Sequence, residues 1–169
     1  MSILDIRTFP DKILLQKANP VVELNGRVQD LIDSMIQTMY AAPGVGLAAP
    51  QVAVSQRLVV VDVSTKEESK PLIVMVNPKI IEQEGEIPSE EGCLSLPDFR
   101  ATVNRAKTIC VKLYDREGKP MEIEADGLLS RAIQHELDHL NGMLLLDRVS
   151  SIRKKFFLKK IQKALKRKN

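Results

Sequence analysis

The chain reads as an α+β fold, on three observations. Helix-period apolar spacing dominates near the start and again toward the end. Short β-branched runs bounded by proline, glycine and polar turns fill the middle. No internal repeat and no linker longer than a loop divides the 169 residues, a length one core can serve. A single domain is therefore predicted, with strands clustered between helices.

Each element has a local reason. After a lead-in punctuated by Pro10 and Pro20, residues 24–40 repeat apolar side chains at Val28, Leu31, Ile32, Met35 and Met39, the period of a helix with one buried face. Pro43, Gly44 and Gly46 break it. The runs RLVVVDV (57–63) and PLIVMVNP (71–78) read as strands joined by the polar loop 64–70. Residues 108–114 alternate Ile109, Val111 and Leu113 with Cys110, Lys112 and Tyr114, and after the turn DREGKP a short strand MEIEA follows. From Gly127 to Asn141 helix periodicity returns, and Gly142 stops it.

Composition narrows the setting. The two cysteines, Cys93 and Cys110, cannot form a disulfide framework, and the opening MSILDIRTFPDK has no basic-then-apolar leader, so a cytoplasmic location is expected. The apolar runs are far shorter than the roughly 18–20 residues of a membrane span. Net charge is +3, but residues 153–169 carry nine Lys or Arg and no acid, which leaves −6 on the remainder. A basic tail on a mildly acidic body points to a polyanionic partner at the tail, either RNA or an anionic membrane surface.

The late helix contains QHELDH (134–139), and with it both histidines of the protein. Residues i and i+4 stand above one another on a helix, so His135 and His139 can share one metal ion, and Glu136, about a hundred degrees round, can act on a water there. A hydrolytic metal usually takes a third protein ligand. Downstream there is no histidine or glutamate, and Asp147 is the one carboxylate. Upstream, Cys93 follows Gly92 in a proline-bounded stretch, Pro88 to Pro97, which reads as an edge strand or loop beside the helix. A free cysteine is more commonly a small buried hydrophobe. Spacing alone leaves both readings of Cys93 open.

Three segments taken together, GVGLAAPQ (44–51), EGCLSLP (91–97) and QHELDHLNG (134–142), closely resemble the signature motifs of the bacterial peptide deformylases, and the likeness extends to FPDKILLQKANPV and the tail. The resemblance implies mostly antiparallel strands around a central metal-binding helix, with a C-terminal helix beyond. It implies a catalytic domain over 1–150 and a basic helical extension of that domain over 151–169. The implied activity is removal of the formyl group from N-formylmethionine at the start of new polypeptides, with release of formate. The implied metal ligands are Cys93, His135 and His139. Glu136 becomes the general acid and base, Gln51 and the backbone N–H of Leu94 face the formyl oxygen, and Gly46 lies near the substrate. Fe(2+) is the expected ion, with Ni(2+), Co(2+) or Zn(2+) able to substitute, and the tail is expected to meet rRNA phosphates of the ribosome.

Val45, Leu128 and Ala132 are expected to line the slot for the methionine side chain, and Arg105, with Glu91 and Asp138, to brace the site. Four positions depart from the pattern: Lys12 replaces a proline, Ala53 a frequent glycine, and Ser89 and Arg131 stand where apolar residues are common. Two other functions fit less of the sequence. One is a binding module with structural zinc on Cys93, Cys110, His135 and His139; the other is a zinc endopeptidase.

Overall fold

The computed structural model describes residues 2–168. Helix α1 (Gly26–Ala41) is capped by Asn25, whose side chain accepts the Val28 N–H, and is followed by β1 (Gly46–Ala48) and a 3-10 turn, Ala49–Val52. Then come β2 (Leu58–Val61), β3 (Ile73–Glu84), β4 (Ile87–Cys93), β5 (Leu96–Arg105), β6 (Thr108–Tyr114) and β7 (Pro120–Asp126). The chain closes with α2 (Gly127–Leu140) and α3 (Ser151–Lys168). Met1 and Asn169, the outer ends of the two expected segments, lie outside the described residues.

The strands form a five-stranded antiparallel sheet in the order β1-β2-β3-β6-β7 and a separate hairpin, β4-β5. Strand β2 explains its unbroken LVVV sequence. Val59 and Val61 face one way and join Met75, Val111, Ile133 and Leu140 under α2. Leu58 and Val60 face the other and join Ile32, Met35 and Met39 under α1. A strand buried on both faces has no need of polar alternation. A third core holds Leu14, Leu96, Phe99, Leu144, Leu146 and Phe157 beside the hairpin.

One difference from the sequence reading stands out. The stretch around Cys93 is half of a hairpin whose second strand, 96–105, the pattern does not reveal. Leu96 is buried, Pro97 and Asp98 are exposed, and alternation resumes only at Phe99, Ala101 and Val103. Asp98, at φ 63°, is the irregularity that shifts the phase. The tail packs against this hairpin. Phe157 is buried against Phe99, with ring centroids 4.5 Å apart, so the first half of α3 covers the third core and its removal would uncover apolar surface. Among the described residues no helix is long and apolar enough to cross a membrane.

Candidate metal centre

Helix α2 lies against β1, β2, β6 and β7 and presents His135 and His139 one turn apart, with ring centroids 5.1 Å from each other. Cys93 ends β4 at the hairpin turn, and its Sγ lies 3.3 Å from His139 Nε2. One donor atom from each of Cys93, His135 and His139 falls within 4.8 Å of the others. Donors at 2.0–2.3 Å from a shared tetrahedral ion stand roughly 3.3–3.8 Å apart, a spacing the Cys93–His139 pair already has. Sulfur with two imidazoles suits a transition metal better than magnesium or calcium.

Charge fits a cation too. Burial opposes a charge on His135, yet the Cys93 sulfur and the carboxylates of Glu136 and Glu91 outweigh it and hold the imidazole's pKa well above its usual value. The surroundings thus call for positive charge, which a metal ion would supply. Burial keeps His139 neutral, the state in which imidazole ligates.

His135 is oriented from behind. Its Nδ1 sits 2.9 Å from Glu91 Oε1, leaving Nε2 for the site. Glu91 accepts from Arg105 Nε at 2.9 Å and from a second guanidinium nitrogen at 2.7 Å. Arg105, whose side chain is 1 % exposed, also donates to Asp138 at 2.7 Å. Arg148 in turn donates to Asp138 at 2.6 and 2.7 Å. The expected brace of Arg105, Glu91 and Asp138 is present, and Arg148 extends it toward α3.

Glu136 is almost fully buried, and burial pushes its carboxyl up to about 7. Its Oε1 has no hydrogen-bond partner. Gly46 of β1 lies against it: a Cβ there would stand 2.6 Å from Oε2, so only glycine lets strand and carboxylate approach so closely. Both line a cavity of about 620 Å³ together with His135, Cys93 and Leu94. Val45, Leu128 and Ala132 form part of its wall, as expected, with Ser89 and Arg131 as polar intrusions. Gln51, also in the wall, accepts the Ala48 N–H on Oε1 at 3.0 Å and donates from Nε2 to Ser95 Oγ at 3.1 Å. Val45, Gly46, Gln51, Cys93, Leu94, Leu128, Ala132, His135 and Glu136 thus share one cavity, and His139 joins them through the ligand cluster. Ser95 and Arg148 went unmarked, because a serine between two leucines and an arginine after an aspartate carry no spacing signal. Cys110 is elsewhere, on the acidic face of the main sheet between Glu82 and Glu124, where a shared ion with Cys93 is out of reach.

A cysteine sulfur and two imidazoles beside a buried carboxylate with an unpartnered oxygen, opening on a cavity, suit a metal-dependent hydrolase. The sequence profile of the polypeptide deformylase family matches residues 3–155. A peptide deformylase of Thermodesulfovibrio yellowstonii is 54% identical over 162 residues, covering 96% of this chain and 98% of that protein. One from Syntrophobacter fumaroxidans is 50% identical over 166 residues, with 98% of each covered. Among solved structures, the enzyme of Legionella pneumophila superposes with a TM-score of 0.89 at 44% identity, over 99% of this chain and 98% of that one. That of Ehrlichia chaffeensis in complex with actinonin gives 0.90 at 36% identity, over 97% and 98%. The chain belongs to the polypeptide deformylase family. It is a metal-dependent hydrolase that removes the N-formyl group from newly synthesised polypeptides.

Proposed function

We propose that Glu136 moves the protons of deformylation, that Cys93, His135 and His139 hold the metal, and that Gln51 and the Leu94 N–H receive the formyl oxygen. One observation carries this reading: a buried carboxylate with an unpartnered oxygen lies in the same cavity as the ligand cluster. A metal held there would supply Lewis acidity, polarising the formyl carbonyl and making a water easier to deprotonate. Glu136, with its carboxyl raised to about 7, is matched to taking a proton from the attacking water near neutral pH. It then returns that proton to the amide nitrogen, which leaves poorly as an anion. Negative charge gathers on the formyl oxygen during attack, and the Gln51 and Leu94 donors oppose it without bringing a countercharge; losing one such donor costs about 2.7–4 kcal/mol of barrier. Val45, Leu128 and Ala132 supply the apolar wall for methionine, and Gly46 leaves room for the substrate backbone.

The test is formate release from a formyl-Met peptide by wild type and Glu136→Ala, with metal content measured in both. Metal retained with activity lost supports the assignment; full activity in the variant sinks it. Cys93→Ser should lose metal and Cys110→Ser should keep it. Fe(2+) is the proposed ion, with Ni(2+), Co(2+) and Zn(2+) as substitutes, because sulfur in the ligand set accepts any of them. Iron beside an oxidisable thiolate is the combination most exposed to air. Iron-loaded protein handled aerobically is therefore expected to lose activity faster than nickel- or zinc-loaded protein.

The tail, proposed as a helical extension of the catalytic domain, supports ribosome contact in a cytoplasmic setting. On the face of α3 away from Phe157, Ile152 and Phe156 are 82% and 74% exposed and lie among Lys155, Lys159 and Lys163. Lysines meet rRNA phosphates, and the apolar pair adds surface to bury. Because truncation would uncover the third core, the test is Lys155, Lys159 and Lys163 to Glu. Ribosome binding should weaken and lose its salt dependence while short formylated peptides are processed as before; undiminished binding contradicts the proposal.

A further inference from the structure

We infer that Ser95 is a positioning residue for deformylation: its hydroxyl fixes the plane of the Gln51 carboxamide so that one amide hydrogen stays aimed at the site. This rests on the reading of Gln51 as a donor to the formyl oxygen.

The hydrogens of Gln51 can be followed one by one. Oε1 accepts the Ala48 N–H at 3.0 Å, which settles the sense of the amide, since a flipped carboxamide would set NH2 against a backbone N–H. Nε2 has two hydrogens. One goes to Ser95 Oγ at 3.1 Å. The other is left on the side of Cys93 Sγ, 4.0 Å away, too long for a strong bond and pointing to the metal-ligand cluster. A carboxamide held at Oε1 alone can still turn about its terminal torsion, a broad and soft one. A second bond at Nε2 removes that freedom before substrate arrives, which is what a donor aimed at developing charge requires.

The surroundings make Ser95 a fixed reference point. It is fully buried, and Gln51 nearly so. The main chains that carry them are fastened to one strap: the Arg7 N–H donates to the Gln51 carbonyl at 2.7 Å and the Phe9 N–H to the Ser95 carbonyl at 2.9 Å. Residues 7 and 9 of the lead-in thus hold the 3-10 turn and the hairpin turn at a set spacing. Neither partner needs to move for the bond between their side chains to persist.

The experiment is a double-mutant cycle on the metal-loaded enzyme with Ser95→Ala, Gln51→Ala and the pair, following kcat and KM for a formyl-Met peptide, with metal content and melting temperature. Loss of an aimed donor altogether costs about 100- to 1000-fold in kcat. Loosening it should cost less, so Ser95→Ala is expected to lower kcat by about tenfold with KM and metal content little changed. In the Gln51→Ala background the same substitution should change kcat less than about twofold, because nothing remains to be aimed. Ser95→Cys, which keeps a weaker acceptor at the same point, should fall between serine and alanine. An equal loss in both backgrounds would show that Ser95 acts through packing and overturn the inference, as would wild-type kcat in Ser95→Ala. If Gln51→Ala itself keeps wild-type kcat, the assignment of Gln51 fails, and the role of Ser95 with it.

Discussion

Gly46→Ala is the sharpest perturbation of Glu136, the proposed catalytic carboxylate, that leaves every proposed ligand and every charge in place. The added Cβ would lie 2.6 Å from Glu136 Oε2 and 3.0 Å from its Cδ and Cγ. Ordinary contact begins at 3.4 Å, so strand and carboxylate must separate by about 0.8 Å. The strand cannot easily yield, because Gly46 pairs with Val61 in a sheet packed on both faces. The side chain can, because Oε1 is tied to nothing. The fold should therefore persist, while a displacement near 1 Å at a reacting group costs on the order of 100-fold in rate. The assay is formate release with metal content and thermal melting measured in parallel. We expect kcat to fall about 30- to 100-fold with metal retained and stability lowered by about 1–3 kcal/mol. A kcat within threefold of wild type would refute the view that the distance from Gly46 sets the position of Glu136.

Three further outcomes follow from the same geometry. Arg105→Leu leaves Glu91 and Asp138 buried beside an alkyl chain, and breaking a buried pair from one side costs about 3–5 kcal/mol, readable as a shifted denaturant midpoint; a loss under 1 kcal/mol contradicts it. Ala53 sits at φ 67°, where a Cβ is strained by roughly 1–2 kcal/mol, so Ala53→Gly should raise the melting temperature despite glycine's greater chain entropy. The Asp147 carboxyl would be raised by burial, but Lys154 and the Leu144 N–H outweigh that and hold it below its usual value. Its folded pKa lies below its unfolded one, so its stabilisation is complete above about pH 4 to 5 and disappears as pH falls through the folded value. The melting-temperature gap between wild type and Asp147→Asn should therefore close on acidification, and a constant gap would show that Asp147 acts by some other means.

The helices and the β6 and β7 strands were legible because each buries one face and so writes its period into the sequence, as Val28, Ile32, Met35 and Met39 do for α1. The β4-β5 hairpin was not, because Asp98 shifts the alternation and Arg105, a charge, takes a core-facing place. What makes Arg105 tolerable there is Glu91 and Asp138, 14 and 33 residues away. No local pattern encodes such a partnership. The proposed metal ligands divide along the same line: the two histidines share a helix and announce themselves by spacing, whereas Cys93 comes from another element and becomes legible only through likeness to a family. Glu136 is visible as part of the motif, but its close approach to Gly46 brings β1 against the helix, a tertiary contact.

The chain of charges from His135 through Glu91, Arg105 and Asp138 to Arg148 bears on protein engineering. A five-residue H-E-x-x-H cassette moved onto another helix carries the two proposed histidine ligands and the proposed base but leaves behind β4, β5 and the turn before α3, which aim the first imidazole. Such a graft is expected to bind metal loosely and turn over poorly. The smallest unit expected to transfer is the helix together with the hairpin beside it and the turn before α3 that carries Arg148.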